Sequence, residues 1–335
     1  MKKILILSDG KAGHYNQSLA VAEAIKQIET VKVILVEVSV QKRTKYFLRL
    51  LLNSRIGQKW LKENITNKKI AWFYKGYDYE ERPDIIISSG KDTSMLNSLL
   101  GLMYNAKTFF IGNPKKLHHS LFTAILTVLD LGFDNQILLD VAPILPFKGD
   151  VKIFCKEHGL SFDARYCTLL IGGDGSGYCY SEEEYESLID FVNNTSSEIH
   201  WLVTTSRRTP IKMEEKMHQQ MKAAMFVAYN KKPQKVIGAF LALSDLVFVT
   251  EESASMLSEA VVSQKFVISL IPKNVNIDTN YQKILFKFQN LKYIQRLRID
   301  QLKNFKYQKN NFSQNENSFF SKLVNQLKKV IKENG

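Results

Sequence analysis

Residues 204–210 read "TTSRRTP", directly after the apolar run "IHWLV". Thr209 and Pro210 have the form of a helix N-cap and a first helical residue. Arg207 and Arg208 therefore fall between a strand end and a helix start. A helix N-terminus already carries partial positive charge, so two guanidinium groups there add repulsion unless an anion arrives. Arginine forks match phosphate oxygens in pairs. Thr205 and Ser206 add hydroxyls alongside. The pattern reads as an anion site; two solvated surface arginines are the plain alternative.

Three other loops carry similar residue types. "SDGKAGHYNQ" (8–17) brings Asp9, Lys11, His14 and Asn16 together, with Gly10 and Gly13 permitting a tight turn. A helix starting near Asn16 would point backbone N–H groups into this loop. His14 is placed to take a proton from a substrate hydroxyl, and an exposed histidine on a structural turn is the alternative. "IGGDGSGYCYSEEE" (171–184) holds Gly172, Gly173 and Ser176 but neither the dinucleotide fingerprint nor a P-loop. Ser181 and Glu184 form a capping box, so a helix starts at about 182 and the glycines before it form a phosphate cradle or a plain loop. "VTEESASMLSEA" (249–260) places Glu251 and Glu252 in a loop before a helix starting near Ser255. Either carboxylate could accept hydrogen bonds from a ribose diol or interact with the helix dipole. Glu259 lies among Met256, Leu257, Ala260, Val261 and Val262, where a carboxylate is costly without a partner.

These loops need elements to hold them. "KILIL", "VKVILVEVSV", "DIIISSG" and "TFFIGN" read as strands separated by the helical "NQSLAVAEAIKQI" and "SMLNSLLGLMY". A second series follows "VAPILPFKG" (141–149), with strands at "YCTLLIGG", "IHWLVTT", "LVFVT" and "KFVISL" and helices between them. Such alternation indicates parallel sheets covered on both faces. The sequence thus predicts an α/β chain with domains over 1–145 and 150–310, an irregular segment around 301–317 and an amphipathic basic helix over 318–335. Ligands of such sheets bind beyond the carboxyl ends of the strands, where all four loops fall.

The chain has 335 residues, a net charge of +13 and three cysteines without a C-x-x-C pair. A zinc site or disulfide framework is not indicated, and a reducing cytoplasm fits. The apolar run Ile4–Leu7 is too short for a signal peptide. Excess positive charge favours anionic partners. Nucleic acid is disfavoured, because the basic residues are dispersed and no recognition motif occurs. "QKRTKYFLRLLLNSRIGQKWLKE" (41–63) interleaves seven basic residues with Phe47, Leu50, Leu51, Ile56 and Trp60. It reads as a basic amphipathic helix able to lie on an anionic bilayer, or as an ordinary helix packed on the sheet.

Taken in order, "SDGKAGHYNQ", "ISSGKDTS", "TTSRRTP" and "VTEESASMLSEA" resemble the family named for the plant mitochondrial-fission (elongated mitochondria) protein, whose bacterial members are classed as GT-B glycosyltransferases. The likeness spans roughly residues 1–270. It implies two Rossmann-like domains facing an interdomain cleft: an N-terminal acceptor domain, a C-terminal nucleotide-sugar donor domain, and a last helix that crosses back to the first. It further implies that Gly172, Gly173, Ser176, Thr205, Ser206, Arg207, Arg208, Glu252, Ser253, Ser255, Met256 and Glu259 hold the donor, with Glu259 on the ribose. Gly10, Lys11, Gly13, Asn16, Gln17, Gly90, Lys91 and Asp92 would meet the acceptor, with His14 and Asp9 as the catalytic pair. The chain departs from the family in having Asp174 in place of proline, Glu252 in place of aspartate, and no histidine before Asp130.

The expected activity is sugar transfer from a nucleotide sugar to a saccharide or lipid-linked saccharide. No cofactor or metal is expected, since guanidinium groups replace the metal and no D-x-D pair occurs. The expected location is the cytoplasm, with possible contact at the cytoplasmic face of the inner membrane. A non-catalytic adaptor on the same fold and a sugar-nucleotide epimerase remain rival readings.

Overall fold

The computed structural model describes residues 1–195, 198–305 and 319–332. The chain forms two units, Met1–Leu145 with Asn317–Gly335, and Pro146–Glu316.

Unit 1 opens with β1 (Lys2–Ser8), whose "ILIL" run is fully buried. Then come α1 (Ala12–Lys26), β2 (Val31–Glu37), β3 (Ser39–Val40), α2 (Lys45–Leu52), α3 (Arg55–Asn64), α4 (Asn67–Ile70) and β4 (Tyr74–Lys75). β5 (Ile85–Ser89), α5 (Ser94–Tyr104), β6 (Lys107–Ile111), β7 (Ala124–Thr127) and β8 (Gln136–Leu138) follow. The main sheet is parallel throughout, in the order β2-β1-β5-β6-β7-β8. The chain steps from β1 out to β2, then returns past β1 to β5. The carboxyl ends of β1 and β5 therefore flank a topological switch point, the place where such sheets leave room for a ligand.

Unit 2 repeats the plan with α6 (Val151–His158), β9 (Arg165–Leu170), β10 (Tyr178–Cys179), α7 (Glu182–Asn193), β11 (Ile199–Thr204), α8 (Ile211–Gln220) and β12 (Met225–Val227). It continues with α9 (Ile237–Leu243), β13 (Ser244–Thr250), α10 (Ala254–Val262), β14 (Phe266–Ile271), β15 (Asn274–Val275), α11 (Thr279–Asn290) and β16 (Gln295–Arg298). Its six-stranded sheet is also parallel, ordered β12-β11-β9-β13-β14-β16, with the switch between β9 and β13. Ser181 and Glu184 form the expected capping box at the head of α7.

α12 (Phe319–Lys332) belongs to unit 1. It seats Leu323, Leu327 and Ile331 in the cluster that holds Val21, Ala24 and Ile25 of α1 and Ile4 and Ile6 of β1. Lys322 pairs with Asp140 at 3.0 Å, and the Gln326 amide donates to the Leu138 carbonyl at 3.1 Å.

Several boundaries differ from the sequence expectation. The segment 41–63 is two helices, because Ser54 caps α3 by accepting from the Gly57 N–H, and Gly57 lets α3 approach the Leu51 backbone. α1 starts at Ala12, not near Asn16. β7, β8, β12 and β16 have three or four residues each, too few for a periodic signal. The expected irregular segment begins with a 3-10 helix, Ile299–Asn304, and from 306 onward lies outside the described residues.

Leu327 is fully buried. Leu327→Ala is expected to lower stability by about 2–4 kcal/mol, read as a lower urea midpoint with far-UV helicity retained.

Candidate functional site

At the switch point of unit 1 the loop after β1 is only three residues long, Asp9 to Lys11. His14 is therefore on the first turn of α1, facing back toward Asp9. The His14 Nδ1 lies 2.9 Å and 3.0 Å from the two Asp9 oxygens, and Lys11 Nζ lies 3.0 Å from Oδ2. Burial pushes the Asp9 carboxyl up, but Lys11 and His14 together outweigh it and hold the carboxyl below its ordinary range. An ionised carboxylate only accepts, so Nδ1–H donates to it and Nε2 is the ring nitrogen left to face a ligand. Gly90, at φ +89°, makes this dyad possible: a Cβ there would lie 2.4 Å from His14 Nδ1.

The other sequence-predicted residues of unit 1 separate into two groups. Gln17 accepts from the Ser89 hydroxyl at 2.9 Å, which ties α1 to the end of β5. Gly10, at φ +75°, turns the chain past Glu37 at the end of β2. Asp92 turns instead toward α2, where it accepts from Lys45 at 3.0 Å. Lys91 and Asn16 are exposed, and Gly13 is half-buried within α1.

In unit 2 the loops after β9, β11 and β13 form one contact cluster. The Gly172 N–H donates to Thr250 Oγ1 at 2.7 Å, and the Gly173 N–H to Glu252 Oε1 at 3.2 Å. The Thr209 hydroxyl donates to the Gly172 carbonyl. The glycines are obligatory at this approach: a Cβ on Gly172 would sit 1.4 Å from Glu252 Oε1, and one on Gly173 2.1 Å from the Arg208 carbonyl. Ser176, at φ +51°, is exposed at the tip of the loop.

Glu251 and Glu252 are buried, and neither carboxylate is free for a ribose diol. Arg296 holds Glu251 in a two-pronged ion pair at 2.6 Å and 2.7 Å, and the Tyr178 and Ser269 hydroxyls donate to it at 2.7 Å. Glu252 accepts from Tyr180 at 2.8 Å and from Arg208 Nη2 at 3.2 Å. Burial pushes the Glu252 carboxyl up, and Tyr180 and Arg208 only partly offset it. Of the two readings open for Glu252, a ribose contact or a dipole interaction, neither describes its main role here: its side chain props the glycine loop and Arg208 from beneath.

The arginine turn also differs from the sequence expectation. Pro210, not Thr209, is the N-cap of α8: the Thr209 oxygen accepts from the Ser206 N–H at 3.1 Å while its hydroxyl donates to Gly172. Thr205 is buried and donates to Glu214, which also accepts from the Asn230 N–H at 3.0 Å. The Thr205 side chain therefore shapes the turn rather than facing a ligand. Arg208 is partly neutralised by Glu252. Arg207 is exposed and makes no hydrogen bond or ion pair among the described residues. Ser206 Oγ accepts from the Arg208 N–H at 3.2 Å.

α10 begins at Ala254, one residue before the expected start, with Ser253 as its cap. Met256 is buried, whereas Ser255 is half-buried. Glu259 is half-buried and without a hydrogen-bond or ion-pair partner among the described residues, and burial pushes its carboxyl up to about 7. Among the described residues no three His, Cys, Asp or Glu side chains converge to hold a metal ion. Sequence reasoning missed Arg296, Tyr178, Tyr180, Glu214 and Asn230. Arg296 stands 45 residues from Glu251, and no local spacing links them.

A family model described as "Mitochondrial fission ELM1" matches residues 12–315. The chain is similar to the UDP-GlcNAc 2-epimerase from Methanocaldococcus jannaschii, at 10% identity and a TM-score of 0.59 over 99% of this chain and 100% of that one. It is also similar to a UDP-glucosyltransferase from Polygonum tinctorium, at 9% identity and a TM-score of 0.54 over 99% and 98%. No curated protein matches. At these identities the likeness shows the fold, two Rossmann-like units of the GT-B kind.

Two measurements follow from the buried charges. Glu259 has a folded pKa of about 7 against an ordinary 4.5, so the folded chain binds more protons between those values and stability falls as pH rises through them. Urea unfolding from pH 4.5 to 7.5 should show about 1–3 kcal/mol more loss in the wild type than in Glu259→Gln. Arg296→Met strands a buried carboxylate and should cost about 3–5 kcal/mol, much of it recovered in Glu251→Gln/Arg296→Met.

Proposed function

The chain belongs to the Mitochondrial fission ELM1 family, and on that premise we propose that it is a glycosyltransferase of the GT-B type. It moves a sugar from a nucleotide-sugar donor to a hydroxyl of a saccharide or lipid-linked saccharide of the cell envelope. The observation that carries this reading is Arg207, an exposed guanidinium with no hydrogen bond or ion pair among the described residues, on the turn ahead of α8 and next in sequence to Arg208, whose carbonyl abuts Gly173 of a glycine loop fixed from below.

In this reading unit 2 binds the donor. Arg207 and Arg208, with the amino-terminal end of α10, take up the negative charge that develops on the departing nucleotide phosphate. Glu259 accepts from the ribose hydroxyls. Unit 1 supplies the base. The acceptor hydroxyl loses its proton to His14 Nε2 as its oxygen bonds to the anomeric carbon, and the bond from that carbon to the phosphate oxygen breaks. Asp9 holds the imidazole in the Nδ1–H form and stabilises the imidazolium that results. The guanidinium charges do the work of a divalent metal, so the activity is metal-independent.

Thermal-shift titration with nucleoside diphosphates and nucleotide sugars tests the donor site. One of them should raise Tm, and Arg207→Ala or Glu259→Ala should abolish the rise. Equal shifts in wild type and both variants would reject the site, and no shift with any nucleotide would favour an adaptor. Donor binding should tighten as pH rises toward 7, because hydrogen bonds from a diol favour ionised Glu259. With an acceptor, Arg207→Ala should lower kcat by about 10²–10³-fold and His14→Ala by about 10²–10⁴-fold, with EDTA having no effect. Isomerised donor formed without any acceptor would identify an epimerase instead.

A further inference from the structure

The surface of α2, α3 and the turn after α4 takes no part in either switch point. The inward sides of these helices are occupied: Leu48, Leu52, Leu61 and Ile70 are fully buried in the unit 1 core. Their outer sides carry large apolar side chains that remain exposed. Tyr46, Phe47, Leu50, Ile56, Trp60 and Trp72 are all exposed, from 42% for Trp60 to 83% for Ile56. They are six of the seventeen large apolar side chains exposed among the described residues. Isolated exposed apolar residues are ordinary, but a concentration of this kind marks an interaction surface.

The helices group them. At about 100° per residue, Tyr46, Phe47 and Leu50 share one side of α2, and Ile56 and Trp60 stand one turn apart on α3. Trp72 is brought to the start of α2 by the Thr44 hydroxyl, which donates to its carbonyl at 2.9 Å.

Charge decides the partner. Residues 41–75 contain ten Lys or Arg and one acid, Glu63, so nine of the chain's thirteen net positive charges lie in this segment. Lys42, Arg43, Arg55, Lys59 and Lys62 are exposed and make no ion pair among the described residues. Arg49 stacks on Tyr46 at 5.1 Å and Lys69 over Trp72 at 5.9 Å, so cations and aromatic rings occupy the same surface. Aliphatic tips, two tryptophans and long cationic stems at one level match the boundary of a lipid bilayer. There the stems reach outward to phosphates while the apolar ends enter the acyl region. A nucleic-acid backbone would use the charge but leave Leu50 and Ile56 in water.

We propose that the α2–α3 surface of unit 1, with Trp72, is a docking face for anionic lipid bilayers. This stands on different residues from the donor site, so either proposal can fail without the other.

The test is flotation of the full-length chain with vesicles of pure phosphatidylcholine or of phosphatidylcholine with about one-third phosphatidylglycerol. The chain should float with the anionic vesicles only and be released by high salt. Leu50→Ser/Ile56→Ser and, separately, Lys59→Gln/Lys62→Gln should each weaken partitioning about tenfold or more. All four side chains are exposed, so both variants should melt with the wild type, and nucleotide-induced shifts should be unchanged. Failure to float with anionic vesicles, or partitioning unaltered in either variant, would overturn the proposal. So would heparin binding that matches vesicle binding in strength and survives Leu50→Ser/Ile56→Ser, which would assign the surface to a polyanion. A dimer lost in that variant, without vesicle binding, would assign it to a second copy of the chain.

Discussion

Unit 2 is organised around two adjacent carboxylates, Glu251 and Glu252, that have no access to water. Placing ionised groups there costs several kcal/mol each unless partners surround them. The partners come from distant parts of the chain: Arg296 from β16, Tyr178 from β10, Ser269 from β14, and Arg208 from the loop after β11. Tyr281 of α11 adds a hydrogen bond to the Glu251 carbonyl. Satisfying these two side chains therefore fixes the loops after β9, β11 and β13 relative to one another.

The same constraint sorts the two neighbouring arginines. Arg208 is spent in part on Glu252 and cannot turn away without leaving a buried charge short of a partner. Arg207 carries no such obligation. The glycines are part of the arrangement, because the Glu252 carboxylate occupies the space a side chain on Gly172 would need. The preference for glycine here is steric and set from below the loop.

Unit 1 uses its switch point differently. Its carboxylate, Asp9, is covered while His14 is half-buried, so one group orients and the other remains reachable. A side chain at Gly90 would displace the imidazole. One topology thus provides a hydrogen-bonded acid–base pair in one unit and a cationic turn on buried carboxylates in the other.

The sequence by itself determined the alternation of strands and helices, the capping box at Ser181, the two-unit plan and the loops that carry polar residues, because these depend on local periodicity and caps. Local patterning also placed His14 beside Asp9 and two arginines ahead of α8. The break between α2 and α3 was only partly legible: the Ser54 cap is a local signal, but the packing of Gly57 against the Leu51 backbone is not. Only the tertiary structure decided which polar side chains are committed and which are free. Thr205, Glu251 and Glu252 look like ligand groups in a linear reading, yet each is consumed by a partner. Several of those partners lie dozens of residues away. A hydrogen bond or ion pair between such residues depends on where the sheet brings the chain back, and spacing along the sequence holds no record of that.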